Sequence, residues 1–193
     1  MRRILFVCTG NTCRSPMAEG LFRLMAAREG LDLEIRSAGV SAFDGGAISE
    51  HTAAILREQG IADPGQSRSL DKSIVDWADL ILTMTASHKQ VVIQRNPHAF
   101  DKVHTLKEYV EDDPGILEQV QVRQSFVAEL QMKRALSQPF TDEDQRKASE
   151  LDRDLPDFDV RDPFGGPLEV YREVANELQQ ALGKLQKKLK REM

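Results

Sequence analysis

The stretch that decides the fold is Ile4-Leu-Phe-Val-Cys-Thr-Gly-Asn-Thr-Cys-Arg-Ser15. Its first four residues form a continuous apolar run, which is typical of a strand buried on both faces of a parallel sheet. A short polar turn follows, and from Ser15 onward apolar residues recur with helical spacing at Met17, Leu21, Leu24 and Met25. The sequence therefore predicts a strand, a tight loop and a helix in immediate succession.

The rest of the chain repeats this alternation. Further strands are predicted at 33–39, 79–84 and 102–106, and helices at 48–59, 74–77, 85–95 and 167–191. Strands that alternate with helices are typical of a parallel sheet covered by helices on both faces. We therefore predict an α/β fold, a three-layer α/β/α arrangement around a four-stranded parallel sheet.

Residues 111–156 interrupt the alternation because they contain no strand signal. Apolar residues at 116, 120, 127 and 130 predict one helix, and Thr141-Asp-Glu-Asp144 resembles a capping box at the start of a second one. We predict a single domain over 1–193 that carries a helical insertion at about 111–156. The insertion is interpreted either as a mobile helical addition or as an element that recognises a substrate or partner.

Composition excludes several classes of protein. The 193 residues carry a net charge of −5, which gives no sign of nucleic-acid or anionic-membrane binding. No apolar run approaches the ~20 residues of a membrane-spanning helix, and the first apolar run is too short for a signal peptide. We expect a monomeric cytoplasmic protein whose two cysteines, Cys8 and Cys13, are kept reduced.

The loop between the first strand and the first helix has the composition of an anion-binding site. Gly10 would permit close backbone approach, and the helix that begins at Ser15 would direct N–H groups and a positive dipole end toward the loop. Such a setting favours the thiolate of Cys8, and Arg14 offers a fork of donors that matches two phosphoryl oxygens. The alternative from these residues alone is a buried structural cysteine and a surface ion pair.

The Cys-x5-Arg-Ser pattern, with Gly10 and Asn11 inside it and a strand before it, resembles the low-molecular-weight protein tyrosine phosphatase family. The resemblance continues at 36–39, 78–84 and 162–164, and it covers roughly residues 1–110 and 157–191. It does not extend over the insertion. It implies the family's fold and an enzyme that hydrolyses phosphate esters or related groups.

The family resemblance also implies roles for individual residues. Cys8 would be the nucleophile that forms a phosphocysteine, and Asp162 the general acid and then the base. Asn11 would brace the loop, with Ser37 as its hydrogen-bond partner. The phosphoryl group would be held by Arg14 and the loop, which comprises Thr9, Gly10, Asn11, Thr12, Cys13 and Ser15. The chemistry requires neither metal nor cofactor, and the four histidines lack metal-ligand spacing.

Two departures from the usual tyrosine phosphatase pattern concern the substrate. Thr12 stands where a larger aliphatic residue is common, and Phe164 is followed by two glycines instead of a second aromatic residue. These features resemble the protein-arginine phosphatase branch, which implies phosphoarginine on proteins as substrate. A protein tyrosine phosphatase is the first alternative. An arsenate reductase is less favoured, because no downstream cysteine pair follows Cys13 to relay electrons. A non-catalytic phosphate-binding module is less favoured as well, because binding alone would not require an acid such as Asp162.

The second loop cysteine, Cys13, has two interpretations. It could be a small buried residue in the wall of the loop. It could instead be a resolving thiol that forms a reversible disulfide with Cys8 under oxidising conditions, which would make the enzyme redox-sensitive.

Overall fold

A computed structural model describes residues 2–153 and 155–192. The chain forms two compact units, Met1–Val110 with Phe158–Met193 and, separately, Glu111–Asp157. The second unit has nearly the bounds of the expected insertion. The organisation as one domain with an insertion stays a prediction.

The first unit contains the sheet and most helices. Its strands are β1 (Arg2–Cys8), β2 (Leu33–Gly39), β3 (Leu80–Thr83) and β4 (Val103–Thr105). Its helices are α1 (Arg14–Arg28), α2 (Glu50–Glu58), α3 (Lys72–Trp77), α4 (Ala86–Arg95), α5 (Leu106–Tyr109) and α8 (Leu168–Glu192), with a 3-10 turn at Pro97–Lys102. The second unit consists of α6 (Pro114–Ala135) and α7 (Asp142–Arg153).

All four strands are parallel, in the order β2-β1-β3-β4, which confirms the predicted sheet. Alternate residues of β1 enter two separate cores because strand side chains point to opposite faces. Ile4 and Phe6 pack with α1, α2 and α8, whereas Leu5 and Val7 pack with α3 and α4. Helices therefore cover both faces of the sheet, and the three-layer prediction is confirmed.

The long helices lie close to their predicted positions, because amphipathic periodicity marks them clearly. Their starts are set by capping side chains: Ser49, Asp71 and Thr85 accept hydrogen bonds from backbone N–H groups in the first turns of α2, α3 and α4. The 3-10 turn and the four-residue α5 were not predicted, since single turns are too short to show a period.

The second unit is built around a reciprocal capping box. The backbone N–H of Asp144 donates to the Thr141 hydroxyl at 3.1 Å, and the N–H of Thr141 donates to the Asp144 carboxylate at 3.0 Å. This confirms the capping box expected from the sequence. Lys133 of α6 also donates to Asp144 at 2.7 Å and, with the cap, lowers the pKa of this carboxyl to about 2.

None of the helices within 2–153 and 155–192 has the length and apolar character that crossing a bilayer requires.

Candidate active site

The predicted anion-binding loop connects the carboxyl end of β1 to the first turn of α1. The strand β1 lies between β2 and β3 and ends at Cys8. Cys8 therefore lies at the carboxyl end of the parallel strands, where α/β folds place their ligands. The segment after β2 pairs with this loop, since Val40 and Ser41 donate their N–H groups to the carbonyls of Cys8 and Thr9 at 3.0 and 2.9 Å. The segment that follows β2 therefore holds the loop in place.

The thiol of Cys8 has a close polar partner on α1. The hydroxyl of Ser15, in the first turn of α1, donates a hydrogen bond to Cys8 Sγ at 2.9 Å. Cys8 is only 2% exposed. A hydroxyl donor at this distance stabilises a thiolate more than a thiol, because a hydrogen bond to a charged acceptor is the stronger one.

Asn11 holds the centre of the loop with its amide. Its Nδ2 donates to Ser15 Oγ and to Ser37 Oγ, both at 2.8 Å, and its Oδ1 accepts the backbone N–H of Arg68 at 2.7 Å. The expected Asn11–Ser37 hydrogen bond is therefore present. Asn11 also has a positive φ of 52°, a conformation that asparagine tolerates better than most residues.

Gly39, at the end of β2, allows the closest backbone approach to the loop. A Cβ added there would lie 2.5 Å from the carbonyl oxygen of Thr9 and 2.7 Å from the nitrogen of Asn11. At Gly10, by contrast, an added Cβ would meet only the Thr12 side chain at 3.5 Å, an ordinary contact. Close packing within the protein therefore requires a glycine at 39, and the approach of an anion to Gly10 stays a prediction.

Donors around Cys8 lack acceptors. Across the described residues, no protein group accepts the backbone N–H groups of positions 9–13, and no side chain caps the start of α1. The Nε of Arg14 is likewise buried without a hydrogen-bond partner. An unpaired buried donor such as Arg14 Nε is costly, so this nitrogen, together with the loop N–H groups, suits the loop to an anion with several oxygens.

Arg14 links this loop to the predicted acid. Its Nη2 donates to Asp162 Oδ2 at 2.8 Å, and its Nη1 donates to the carbonyl of Val160 at 3.3 Å. Val160 is anchored in turn, because its N–H donates to the carbonyl of Met84 just after β3. The Asp162 side chain remains 52% exposed. The structure thus brings the predicted nucleophile, arginine and acid into one site.

Thr12 and Cys13 form the side of the loop toward α2 and α8. The carbonyl of Thr12 accepts the N–H of Ser49 at 2.8 Å, and Cys13 Sγ lies 3.4 Å from the hydroxyl of Tyr171. Cys13 is buried and, like Cys8, a free thiol. This placement fits a residue in the loop wall, and the disulfide with Cys8 stays a prediction.

Two aromatic side chains are exposed in the segments that contain Ser41 and Asp162. Phe164, a predicted supporting residue, is 80% exposed, and Phe43 is 86% exposed. Phe43 belongs to the segment after β2, which contacts the loop through Ser41, and Phe164 is two residues from Asp162. Sequence reasoning missed Phe43, because a lone aromatic residue in a loop has no distinguishing pattern.

Sequence reasoning also missed His88. Its Nε2 lies 2.8 Å from Thr9 Oγ1 and its Nδ1 lies 2.8 Å from Thr85 Oγ1. The usable signal was topological: His88 is three residues after Thr85, which follows β3, and the carboxyl ends of parallel strands share one edge of the sheet.

Comparison with known proteins agrees with this geometry. Residues 3–123 match the family model described as low molecular weight phosphotyrosine protein phosphatase. The chain belongs to this family, as its sequence motifs suggested. The matched residues contain all of the predicted anion-binding loop, residues 9–13, which is called the phosphate loop below, and they end before Asp162.

Individual relatives match almost the whole chain. The protein-arginine-phosphatase of Bacillus subtilis (strain 168) is 37% identical over 98% of this chain and 97% of its own, and that of Geobacillus stearothermophilus is 36% identical with the same coverage. A solved structure of the YwlE arginine phosphatase, a cysteine-to-serine variant with a phosphorylated active-site serine, is 37% identical. It has a TM-score of 0.72 and covers 97% of this chain and 95% of that one.

Proposed function

We propose that this protein is a cysteine-dependent phosphatase that removes the phosphoryl group from phosphoarginine in proteins. The observation that carries the proposal is the loop after Cys8: its N–H groups and Arg14 Nε have no acceptor among the described residues, and its Ser15 hydroxyl donates to the Cys8 thiol. The names of the relatives support phosphoarginine as the substrate.

In the first step, Cys8 Sγ attacks phosphorus while the bond from phosphorus to the guanidine nitrogen breaks. The leaving guanidine takes a proton from Asp162, and the phosphoryl group remains on Cys8 as a phosphocysteine. The loop amides and Arg14 stabilise the negative charge on the three non-transferring oxygens.

In the second step, water attacks the phosphorus of the phosphocysteine. Asp162, now a carboxylate, accepts the proton of this water, and the phosphorus–sulfur bond breaks. The products are inorganic phosphate and the Cys8 thiolate. The hydroxyl of Ser15, 2.9 Å from Cys8 Sγ, stabilises this thiolate as a leaving group.

The ion pair between Arg14 and Asp162 must be loosened for this chemistry. A phosphoryl group competes for the Arg14 donors and, once bound, weakens the contact between Arg14 and Asp162. The half-exposed Asp162 then faces the substrate, where it can hydrogen-bond a guanidinium and carry the proton. Substrate binding would thus prepare the acid.

The loop after Asp162 supports a substrate that is not aromatic. Gly165 has a positive φ of 77°, and the N–H of Gly166 donates to the carbonyl of Pro163 at 2.9 Å. A Cβ at Gly166 would lie 3.1 Å from that same carbonyl oxygen. This tight turn requires two small residues, so Phe164 is left without a second aromatic neighbour in the loop.

A protein tyrosine phosphatase is the second candidate. The observation that favours it is the pair of exposed aromatic side chains, Phe43 and Phe164, which could line the faces of a phenyl ring. Thr12→Ile separates the candidates. For an arginine phosphatase, this change should lower turnover of phosphoarginine and leave or raise that of phosphotyrosine. If phosphoarginine turnover is untouched, Thr12 has no role in specificity.

The nucleophile is tested by Cys8→Ser, with Cys13→Ser as the matched control on the same loop. We expect no measurable steady-state turnover of any phosphate substrate by Cys8→Ser, because serine lacks the thiolate, and substantial turnover by Cys13→Ser. Sustained turnover by Cys8→Ser would overturn the proposed mechanism.

The remaining expectations are proposals of the same standing: a cytoplasmic, monomeric enzyme that requires no cofactor. Size-exclusion chromatography with light scattering tests the monomer, and a mass near twice 21.7 kDa would contradict it.

A further inference from the structure

His88 lies beneath the phosphate loop at the start of α4. It is the third residue after Thr85, the residue that caps this helix, and it is 7% exposed. Both ring nitrogens have a hydroxyl partner at 2.8 Å, Thr85 at Nδ1 and Thr9 at Nε2. Thr9 follows the nucleophile directly, so the ring connects a helix cap to the phosphate loop.

The hydroxyl of Thr85 favours one of the two tautomers of this ring, which the positions of the ring atoms alone leave open. Thr85 Oγ1 already accepts the backbone N–H of His88 at 3.2 Å, and its own proton is free to be donated to Nδ1. Nδ1 is then an acceptor, so a neutral imidazole carries its proton on Nε2. The Nε2–H group donates to Thr9 Oγ1.

The ring is neutral under the conditions in which such an enzyme works. Burial, followed by the positive charge of Arg14, lowers the pKa of His88 to about 4, against weaker opposing effects of Asp159 and Asp162. At neutral pH one ring nitrogen therefore carries a proton and the other is an acceptor.

In this tautomer, the proton of the Thr9 hydroxyl points away from the His88 ring. Since Nε2–H occupies a lone pair of Oγ1, the hydroxyl proton of Thr9 is available to a different acceptor. Thr9 is exposed and belongs to the loop whose N–H groups have no acceptor in the described chain. We propose that His88 is a positioning residue that holds the Thr9 hydroxyl as an additional donor to the phosphoryl group bound beside Cys8.

The inference rests on the proposed phosphatase function and deepens it. A hydroxyl that donates to an anionic oxygen is worth more than a neutral hydrogen bond, and a donor fixed in advance needs no reorganisation during the reaction. Thr9 would then contribute through both its backbone and its side chain, whereas sequence reasoning considered only its place in the loop.

The first test is the tautomer itself. In ¹⁵N nuclear magnetic resonance of the full-length protein at neutral pH, Nε2 of His88 should have the shift of a protonated nitrogen and Nδ1 that of an unprotonated one. The opposite tautomer would have Thr9 donating to the ring, and it would overturn the proposal.

The second test is a double-mutant cycle on Thr9→Val and His88→Leu, with p-nitrophenyl phosphate as substrate and inorganic phosphate as ligand. Each single change should lower kcat/KM and phosphate affinity about 10-fold, the size of effect expected for a hydrogen bond to a charged group. The double variant should be no worse than Thr9→Val alone, because His88 acts through that hydroxyl. Additive losses, or a Thr9→Val variant equal to the parent, would contradict the proposal.

Two further variants separate positioning from folding. His88→Gln, whose amide can still donate toward Thr9, should recover most of the loss seen in His88→Leu. His104→Leu, which removes another largely buried histidine that packs on Tyr109, should leave phosphate affinity unchanged. If His88→Gln is as impaired as His88→Leu, the donated hydrogen bond is not what His88 supplies.

Failure of the inference can be told apart from failure of the proposed function. Phosphate affinity, measured by calorimetry on the parent and on both variants, does not depend on turnover. A parent that binds phosphate but does not hydrolyse phosphoarginine overturns the proposed function, while the tautomer and the affinity ratios still decide the role of His88.

Discussion

Asp162 is the residue to which we assign the general acid and base. In the structure its carboxylate is paired with Arg14 and accepts the N–H of Phe164 at 3.1 Å, while half of its side chain faces solvent. A carboxyl in this position can be removed from the pair by a competing phosphoryl group without disturbing the core. Its contribution should therefore be to the chemistry and not to folding.

Asp162→Asn tests this residue, because asparagine keeps the shape and an acceptor but cannot transfer a proton. We expect kcat on a phosphoarginine peptide to fall about 10²- to 10⁴-fold, the usual range for a general acid and base. The variant should unfold at the same temperature as the parent within a few degrees. Cleavage of p-nitrophenyl phosphate, whose leaving group needs little protonation, should lose less in its first step. An unchanged kcat on phosphoarginine would remove Asp162 from the mechanism.

Single residues also show where sequence reasoning stopped. Cys8 and Arg14 were predicted because a motif marks them, and Asp162 and the Asn11–Ser37 contact because the family resemblance implied them. Gly39, Arg68 and His88 were missed, since each acts on the loop only after strands distant in sequence are paired. No local pattern could have revealed contacts that depend on the order β2-β1-β3.

At the scale of elements, the strand–loop–helix unit at the start of the chain was predictable because a continuous apolar run is followed, within a few residues, by apolar residues with helical spacing. The capping box of α7 was predictable for the same local reason. The four-residue α5 and the six-residue 3-10 turn were not, because each is too short to show a hydrophobic period. Side-chain caps at Ser49, Asp71 and Thr85 define helix starts that periodicity alone left uncertain by a residue or two.

The cap of α7 gives a prediction for the second unit. Thr141→Ala removes the hydroxyl that accepts the Asp144 N–H, and the loss of such a cap costs about 1 kcal/mol. Hydrogen exchange in the first turn of α7 should therefore become several-fold faster, with no change in the amides of β1. Thr141→Ser, which retains the hydroxyl, should exchange like the parent. Equal exchange in all three proteins would mean that the cap does not stabilise this helix.

At the scale of the whole molecule, the ion pair between Arg3 and Asp79 connects the beginnings of the neighbouring strands β1 and β3. Arg3 donates to Asp79 at 2.6 Å, and the backbone N–H of Arg3 donates to the same carboxylate at 2.8 Å. The side-chain hydrogen bond from Arg3 is the main cause that lowers the pKa of Asp79 from 3.8 to about 2. The pair thus joins the first strand to the residue that precedes β3.

The shift predicts how stability depends on pH. Because the folded-state pKa of Asp79 is below its unfolded value, the stabilisation is fully present above pH 3.8 and is lost as the pH falls toward about 2. In urea unfolding, Asp79→Asn should be less stable than the parent at pH 7, and the difference should shrink between pH 4 and pH 3. In an Arg3→Met background the difference should largely disappear. A difference that does not vary with pH would contradict this account.

The proposed activity involves the whole molecule, because it needs the loop after β1, with the Thr12 side chain, and the loop before α8 that carries Asp162. Its most direct test is a comparison of kcat/KM for the purified full-length protein on two peptides of identical sequence, one with phosphoarginine and the other with phosphotyrosine. We predict a clear preference for phosphoarginine, with no turnover of either peptide by Cys8→Ser. A preference for phosphotyrosine would assign the protein to the tyrosine phosphatases and contradict the substrate proposed here.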